Sequence, residues 1–174
     1  VFESYAWMHM YLGRDDGWGG GRWYWCVIPN AFDLADFEYR EEKGEDFLFL
    51  GRLNEDKGVR LAIDVAKAVG RRITIVGQGN PEPYLAGNPH VTYLPPVGPD
   101  KRRELLAGAH ACFCPTFYVE PFCGVNVESQ LSGTPVITTD WGVFSETMIH
   151  GVTGWRCRTF EQFVGAARHV EELK

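Results

Sequence analysis

Three segments carry side chains whose type and spacing can do chemistry. The first, Gly51-Arg52-Leu53-Asn54-Glu55-Asp56-Lys57-Gly58, follows the apolar run Phe47-Leu48-Phe49-Leu50. It places a guanidinium (Arg52) and an ammonium (Lys57) at a strand end and at the start of the next helix. Arginine meets a phosphate as a fork and lysine as a point charge, so the pair suits a diphosphate. The second, Glu120-Pro121-Phe122-Cys123-Gly124-Val125-Asn126-Val127-Glu128, follows another apolar run. A helix beginning near Cys123 or Gly124 leaves free N–H groups that bind a phosphate or a sugar oxygen. Glu120 falls in the loop beside those amides, and Glu128 a little over one turn inside the helix. Carboxylates accept well from the vicinal hydroxyls of a ribose or hexose. The third runs from Gly133-Thr134-Pro135 through Val136-Ile137-Thr138 to Asp140-Trp141-Gly142-Val143-Phe144-Ser145-Glu146. It reads as a strand, a glycine turn and a helix with an early glutamate. Taken singly, each also fits something plainer: a solvated loop with two cations, two exposed acids of which one suits a helix N-terminus, and a capped helix.

The elements that must position these segments are legible as alternation. Phe47–Leu50, Ile73–Val76, Ala111–Cys114 and Val136–Thr138 are short runs of nearly continuous apolarity, each ending in a glycine or polar turn. Continuous rather than alternating hydrophobicity marks strands buried on both faces, as in parallel sheets. Between them, Val59, Ala62, Ile63, Ala66 and Val69 keep helical spacing from Lys57 to Gly70. Pro99-Asp100 opens a helix with Leu105 and Leu106, and Gly124 to Ser132 forms another, closed by Gly133. Thr159 and Gln162 make a capping box for a last helix with the stripe Phe160, Phe163, Val164 and Ala167. The fold class is therefore α/β, a doubly wound, Rossmann-like parallel sheet, whose ligands bind beyond the carboxyl ends of the strands.

The chain has 174 residues, enough for one domain with a sizeable core, and 45% are hydrophobic, which argues against disorder. A net charge of −6 is the wrong sign for a nucleic-acid footprint. No stretch is long and apolar enough for a transmembrane segment, and the start has no signal-peptide layout. Without an initiator Met, Val1 reads as a boundary inside a longer chain. The five cysteines (Cys26, Cys112, Cys114, Cys123 and Cys157) include no CxxC pair and suit a reduced, cytoplasmic protein with small buried thiols. No histidine or cysteine spacing suggests a metal site. Residues 1–27 differ from the rest, with Trp7, Trp18, Trp23, Tyr24 and Trp25 around a glycine run from Gly19 to Gly21. They are expected to form a linker with one helix and one short strand, and residues 28–174 the ligand-binding domain. The aromatics are expected to form an interface rather than line the active site.

In their order and spacing these motifs resemble the C-terminal, donor-binding domain of the family-4 glycosyltransferases, one half of the GT-B architecture. The resemblance runs from about Ile28 to Val170 and includes Ile28-Pro29-Asn30-Ala31-Phe32-Asp33, which is similar to the P-N-G-V-D that opens this domain. It also includes Gly51-Arg52-Leu53 with Lys57-Gly58, Ile75-Val76-Gly77-Gln78-Gly79, Val91 to Val97, the E-x7-E pair Glu120 and Glu128, and Gly133 to Glu146. It implies retaining glycosyl transfer from a nucleotide-diphosphate sugar, which is a substrate, so that no cofactor and no metal are needed. The catalytic residues it implies are Glu120, Arg52 and Lys57. Arg52 and Lys57 would hold the diphosphate and stabilise its departure, Glu120 would touch the transferred sugar, and Glu128 would hold the ribose hydroxyls. The donor-binding set would further include Gly51, Gly77, Gly79, Phe122, Cys123, Gly124 and Val125, with Tyr93, Leu94 and Pro95 framing the base. The acceptor site would lie on an N-terminal domain absent from this chain, so the isolated domain would bind donor and transfer poorly.

Two positions depart from the family pattern. Cys123 stands where the family has the glycine of E-P-F-G; if the backbone there is left-handed, a cysteine costs about 1 kcal/mol or more. Pro95-Pro96 stands where glycine is favoured, which removes a backbone donor. Two other functions fit the motifs: a non-catalytic nucleotide-sugar-binding module or subunit, and half of a nucleotide-sugar epimerase or phosphorylase.

Overall fold

The computed structural model describes residues 1–14 and 21–173; the expectations for Trp18, Gly19 and Gly20 fall outside them. Six strands form one wholly parallel sheet: β1 (Phe47–Leu50), β2 (Ile73–Val76), β3 (Val91–Leu94), β4 (Cys112–Cys114), β5 (Val136–Thr139) and β6 (Gly154–Cys157). Their order is β3-β2-β1-β4-β5-β6. This is the Rossmann strand order, and the direction of winding reverses between β1 and β4.

The apolar runs fold as strands because both of their faces are covered. Phe47 and Phe49 of β1 point into one cluster with Ile73, Ile75, Phe113 and Ile137. Helix α2 (Val59–Ala68) closes that side with Val59, Ala62, Ile63 and Ala66, and α3 (Glu82–Leu85) adds Tyr84. Leu48 and Leu50 point the other way, into a cluster with Val76, Cys112, Cys114 and Val136. Three helices serve that side: α4 (Pro99–Gly108) with Leu106, α5 (Gly124–Leu131) with Val125, and α6 (Phe144–Thr147) with Phe144.

Helix α4 begins with Pro99 in its first turn after Gly98, where a missing N–H costs nothing. The C-terminus of α5 closes as expected: the Gly133 N–H bonds to the Gln130 carbonyl at 3.0 Å and the Thr134 N–H to the Ser129 carbonyl at 2.8 Å. Between the C-terminal ends of α4 and α5 sits Lys43, whose ammonium donates to the Ala107 carbonyl at 2.9 Å and the Ser132 carbonyl at 2.8 Å. A cation there satisfies orphan carbonyls and complements both helix dipoles. Helix α7 (Phe160–Arg168) carries the capping box of Thr159 and Gln162, but its buried face is Phe163, Ala166 and Ala167. The expected stripe is thus corrected at Phe160, which is 43% exposed in the first turn.

The leading segment is docked on the domain. Helix α1 (Tyr5–Arg14) follows Phe2, whose N–H bonds to the Cys26 carbonyl at 3.0 Å and whose carbonyl accepts from Ile28 at 2.9 Å. The expected short strand is reduced to this single bridge between Phe2 and Val27. The carboxylate of Glu146 in α6 accepts from the N–H groups of Tyr5 at 2.9 Å and Ala6 at 2.6 Å. Its acid thus caps α1, so the third chemical segment is anchored to the leading helix. Among the described residues no helix is long and apolar enough to cross a membrane.

Candidate functional site

At the β1/β4 reversal the loops leaving the two strands diverge and leave a cleft of about 360 Å³. Arg52 and Lys57 enter it from the β1 side, and Glu120, Phe122, Cys123, Gly124 and Val125 from the loop and first turn of α5. Gly51 lines its floor, and Glu3 and Asn30 reach it from the leading segment. Sequence order separates these groups widely; the switch point alone brings them together.

The two loops are held in contact by main chain. The Phe117 N–H bonds to the Asp56 carbonyl at 2.8 Å. Gly58 adopts φ 74°, and a Cβ there would lie 2.2 Å from the Pro115 carbonyl oxygen. Only glycine permits that approach, which sets Lys57 beside Glu120. The side chain of Asn54 accepts from the Lys57 N–H at 3.1 Å and fixes the turn Glu55–Lys57.

The Lys57 ammonium forms an ion pair with the Glu120 carboxylate, the two side chains being 20% and 5% exposed. Thr116 donates its hydroxyl to the same carboxylate at 3.0 Å, and the Thr116 carbonyl accepts from the Thr139 hydroxyl of β5 at 2.9 Å. The ring of Tyr118 lies 5.0 Å from the Lys57 nitrogen. Burial alone lowers the pKa of Lys57, but hydrogen bonds to Glu120 and Tyr118 outweigh it, so the pKa lies above the usual lysine value. The cation therefore stays charged through neutral pH. Burial raises the pKa of the Tyr118 phenol, which keeps it a neutral donor. Thr116 and Tyr118 were not among the expected site residues, although they precede Glu120 in the same loop.

Arg52 is exposed and, among the described residues, makes no ion pair. Its guanidinium is thus available to an anion in the cleft. Helix α5 begins at Gly124 with no side-chain cap, and its first N–H groups, on Gly124 and Val125, open toward the same space. Phe122 is held from behind by Phe32, ring centroids 6.0 Å apart and nearly parallel. Arg52, Lys57 and the α5 N-terminus together turn positive charge and open N–H groups to the cleft beside one buried carboxylate, an arrangement chemically suited to an anion.

Cys123, at the α5 N-cap, has φ 61° and ψ 71°. Among the described residues it is the one non-glycine side chain with positive φ. The position does require the left-handed backbone, so the cysteine is strained. Cys123→Gly is expected to release about 1–2 kcal/mol of strain against about 0.5–1 kcal/mol of added chain entropy. The net gain of roughly 0.5–1 kcal/mol raises the melting temperature by about 1–3 °C. A lower melting temperature would show that thiol packing outweighs the strain.

Glu128 does not line the cleft. It lies 15% exposed between α5 and α4, where Nε of Arg102 reaches Oε2 at 2.6 Å. Gly77 and Gly79 lie on the β2 side: the Gly51 N–H bonds to the Val76 carbonyl at 2.9 Å and the Leu53 N–H to the Gln78 carbonyl at 2.8 Å. Tyr93, Leu94 and Pro95 follow at the sheet edge, where the Tyr93 hydroxyl donates to the Gly77 carbonyl at 3.3 Å. The structure thus gathers Gly51, Arg52, Lys57, Glu120 and Phe122 to Val125 in one cleft and sets the other expected residues beside it. Trp23, Tyr24 and Trp25 lie outside the cleft; Trp23 is 95% exposed, and Trp25 packs edge-on against Phe2.

Residues 44–172 match the family model described as Glycosyl transferases group 1. Over 147 residues the chain is 31% identical to a glycogen synthase of Mycobacterium tuberculosis, an alignment that covers 75% of this chain and 35% of that protein. It is also 31% identical over 155 residues to a D-inositol 3-phosphate glycosyltransferase of Pseudarthrobacter chlorophenolicus, covering 74% of this chain and 37% of the relative. The chain thus spans little more than a third of the length of these relatives. Among solved structures, AviGT4, a glycosyltransferase involved in avilamycin A biosynthesis, superposes with a TM-score of 0.75 at 26% identity, covering 99% of this chain and 54% of the other. Anabaena HepE, solved in complex with UDP-glucose, shares the fold with a TM-score of 0.74 at 21% identity, covering 88% and 50%. With its Rossmann-like sheet of the kind found in GT-B enzymes, the chain belongs to the group 1 glycosyltransferases.

Proposed function

We propose that this chain is the donor-binding domain of a retaining glycosyltransferase that uses a nucleotide-diphosphate sugar. One observation carries the reading: the cleft at the β1/β4 reversal gathers Arg52, Lys57, Glu120 and the open amides of α5. Such a cleft fits a diphosphate against the cations and the helix N-terminus, with the attached sugar against Glu120. As the glycosidic bond breaks, negative charge grows on the departing diphosphate, and Arg52, Lys57 and the α5 N–H groups offset it without reorganising. Glu120, buried and held by Thr116 and Lys57, is preorganised to accept from a sugar hydroxyl. Glu128 takes the ribose and Tyr93 to Pro95 the base. The acceptor is held by a second domain outside this chain, and the exposed ring of Trp23 belongs to the contact with it. The solved HepE complex with UDP-glucose supports a nucleotide-sugar donor for a domain of this fold.

The reading is tested by Glu128→Ala. Its partner Arg102 is 35% exposed and stays hydrated, so the domain should remain folded. Loss of charge-assisted bonds worth roughly 1.5–3 kcal/mol should cut the affinity for the preferred nucleoside diphosphate about 10- to 100-fold in calorimetry. Unchanged affinity would remove Glu128 from the nucleotide site.

A further inference from the structure

The Arg102–Glu128 pair differs from the surface ion pairs around it. On α4, Lys101 turns outward to Glu104, and Arg103 reaches the Asp36 carbonyl at 2.8 Å. Arg102 alone of the three turns inward to α5 and places Nε at 2.6 Å and Nη2 at 2.5 Å from the same oxygen, Oε2 of Glu128. Nε donates its hydrogen to that oxygen, and Nη2 completes a close ion pair with it. The other oxygen, Oε1, makes no hydrogen bond among the described residues and is not sealed from solvent. It lies 3.3 Å from where a Cβ on Gly124 would stand, over the first turn of α5 and beside a residue that lines the cleft.

We propose that Arg102 is a positioning residue for nucleoside recognition: its guanidinium pins one carboxylate oxygen of Glu128 so that the other is presented to the ribose hydroxyls of the donor. The proposal rests on the donor-domain reading and adds a residue to it. Pinning removes the rotamer freedom that a half-turned glutamate would otherwise lose on binding, and a planar fork does this better than an ammonium. The pair also solves a charge problem. A bare carboxylate repels a diphosphate, whereas a carboxylate already matched by a cation remains a hydroxyl acceptor with little net charge. Glu120 has the same arrangement with Lys57. Both glutamates of the E-x7-E spacing thus come with their own cation, one from the loop after β1 and one from α4.

The test uses the chain as it stands, with uridine, guanosine and adenosine diphosphates, the 2′,3′-dideoxy form of whichever binds best, and inorganic pyrophosphate. Arg102→Ala and Arg102→Lys are compared with the unsubstituted protein and with Glu128→Ala. The unsubstituted protein should prefer the ribose form about tenfold or more. Arg102→Ala should bring that preference several-fold toward unity while pyrophosphate affinity stays unchanged, and Arg102→Lys should fall between. A merely structural role would lower the ribose and dideoxy forms alike, and that result overturns the proposal. So does a preference that survives Arg102→Ala but collapses in Glu128→Ala, which leaves the donor-domain reading standing. If Glu128→Ala also leaves the preference intact, or no nucleotide binds, the reading itself fails and the proposal with it. Should Arg102→Ala not fold, Arg102→Lys decides by the same ratio.

Discussion

Arg52→Ala should leave thermal stability within about 0.5 kcal/mol of the unsubstituted protein, because an exposed side chain with no ion-pair partner among the described residues contributes little to the fold. Affinity for a nucleoside diphosphate should nevertheless fall roughly 10- to 100-fold, the worth of a charge-assisted fork to phosphate. Affinity for the bare nucleoside should not change. Calorimetry with the two ligands reads the difference directly, and equal losses would place Arg52 on the base or in the fold. Lys57→Ala is expected to show the same ligand pattern on top of a stability loss. It leaves Glu120 buried without its cation, and orphaning one partner of a buried pair costs roughly 3–5 kcal/mol. The contrast between the two variants separates the cation that only binds from the one that also holds the site together.

Gly77→Ala should be among the most damaging single substitutions in the chain. Gly77 has φ 149°, and a Cβ there would lie 1.8 Å from the Gly51 carbonyl oxygen and 2.8 Å from the Gly51 carbonyl carbon. Both obstacles are main chain, and they belong to the loop that carries Arg52, so relief requires the loops after β1 and β2 to part. Backbone strain and overpacking together should cost roughly 3 kcal/mol or more, which lowers the melting temperature by about 10 °C. The control is Gly165→Ala in α7, where an added Cβ meets nothing within 4 Å. There the helix should gain up to about 1 kcal/mol. A loss below about 1 kcal/mol in Gly77→Ala would mean that the two loops are not locked together. Gly77 thus serves the site first as scaffold.

Most of what positions the site was legible because it is local. Phe47–Leu50 and Ile73–Val76 announce buried parallel strands by unbroken apolarity, and the helical spacing of Val59, Ala62, Ile63 and Ala66 matches the buried face of α2. β6 was not legible. Gly154-Trp155-Arg156-Cys157 lies at the sheet edge, where partial burial and the Arg156 link to Asp140 at 3.5 Å break the apolar run. The pairings Lys57–Glu120, Arg102–Glu128 and Glu146 with α1 were equally hidden, since residues 63, 26 and 141 positions apart meet only in the folded chain. The left-handed backbone at Cys123 was foreseeable because a cysteine stood where the resemblance expects glycine. The burial of Glu120 and the role of Thr116 behind it depend on contacts with β5 that spacing does not encode.

The central claim is that the cleft between the β1 and β4 loops is a nucleotide-diphosphate-sugar site. Thermal-shift titration of the unsubstituted domain against UDP-, GDP- and ADP-sugars tests it most directly. One base class should stabilise the domain, by about 2.7 kcal/mol at 100 times its dissociation constant, and Arg52→Ala should shift that titration to higher ligand concentration. No stabilisation by any of the three classes, or stabilisation that Arg52→Ala leaves untouched, would contradict it.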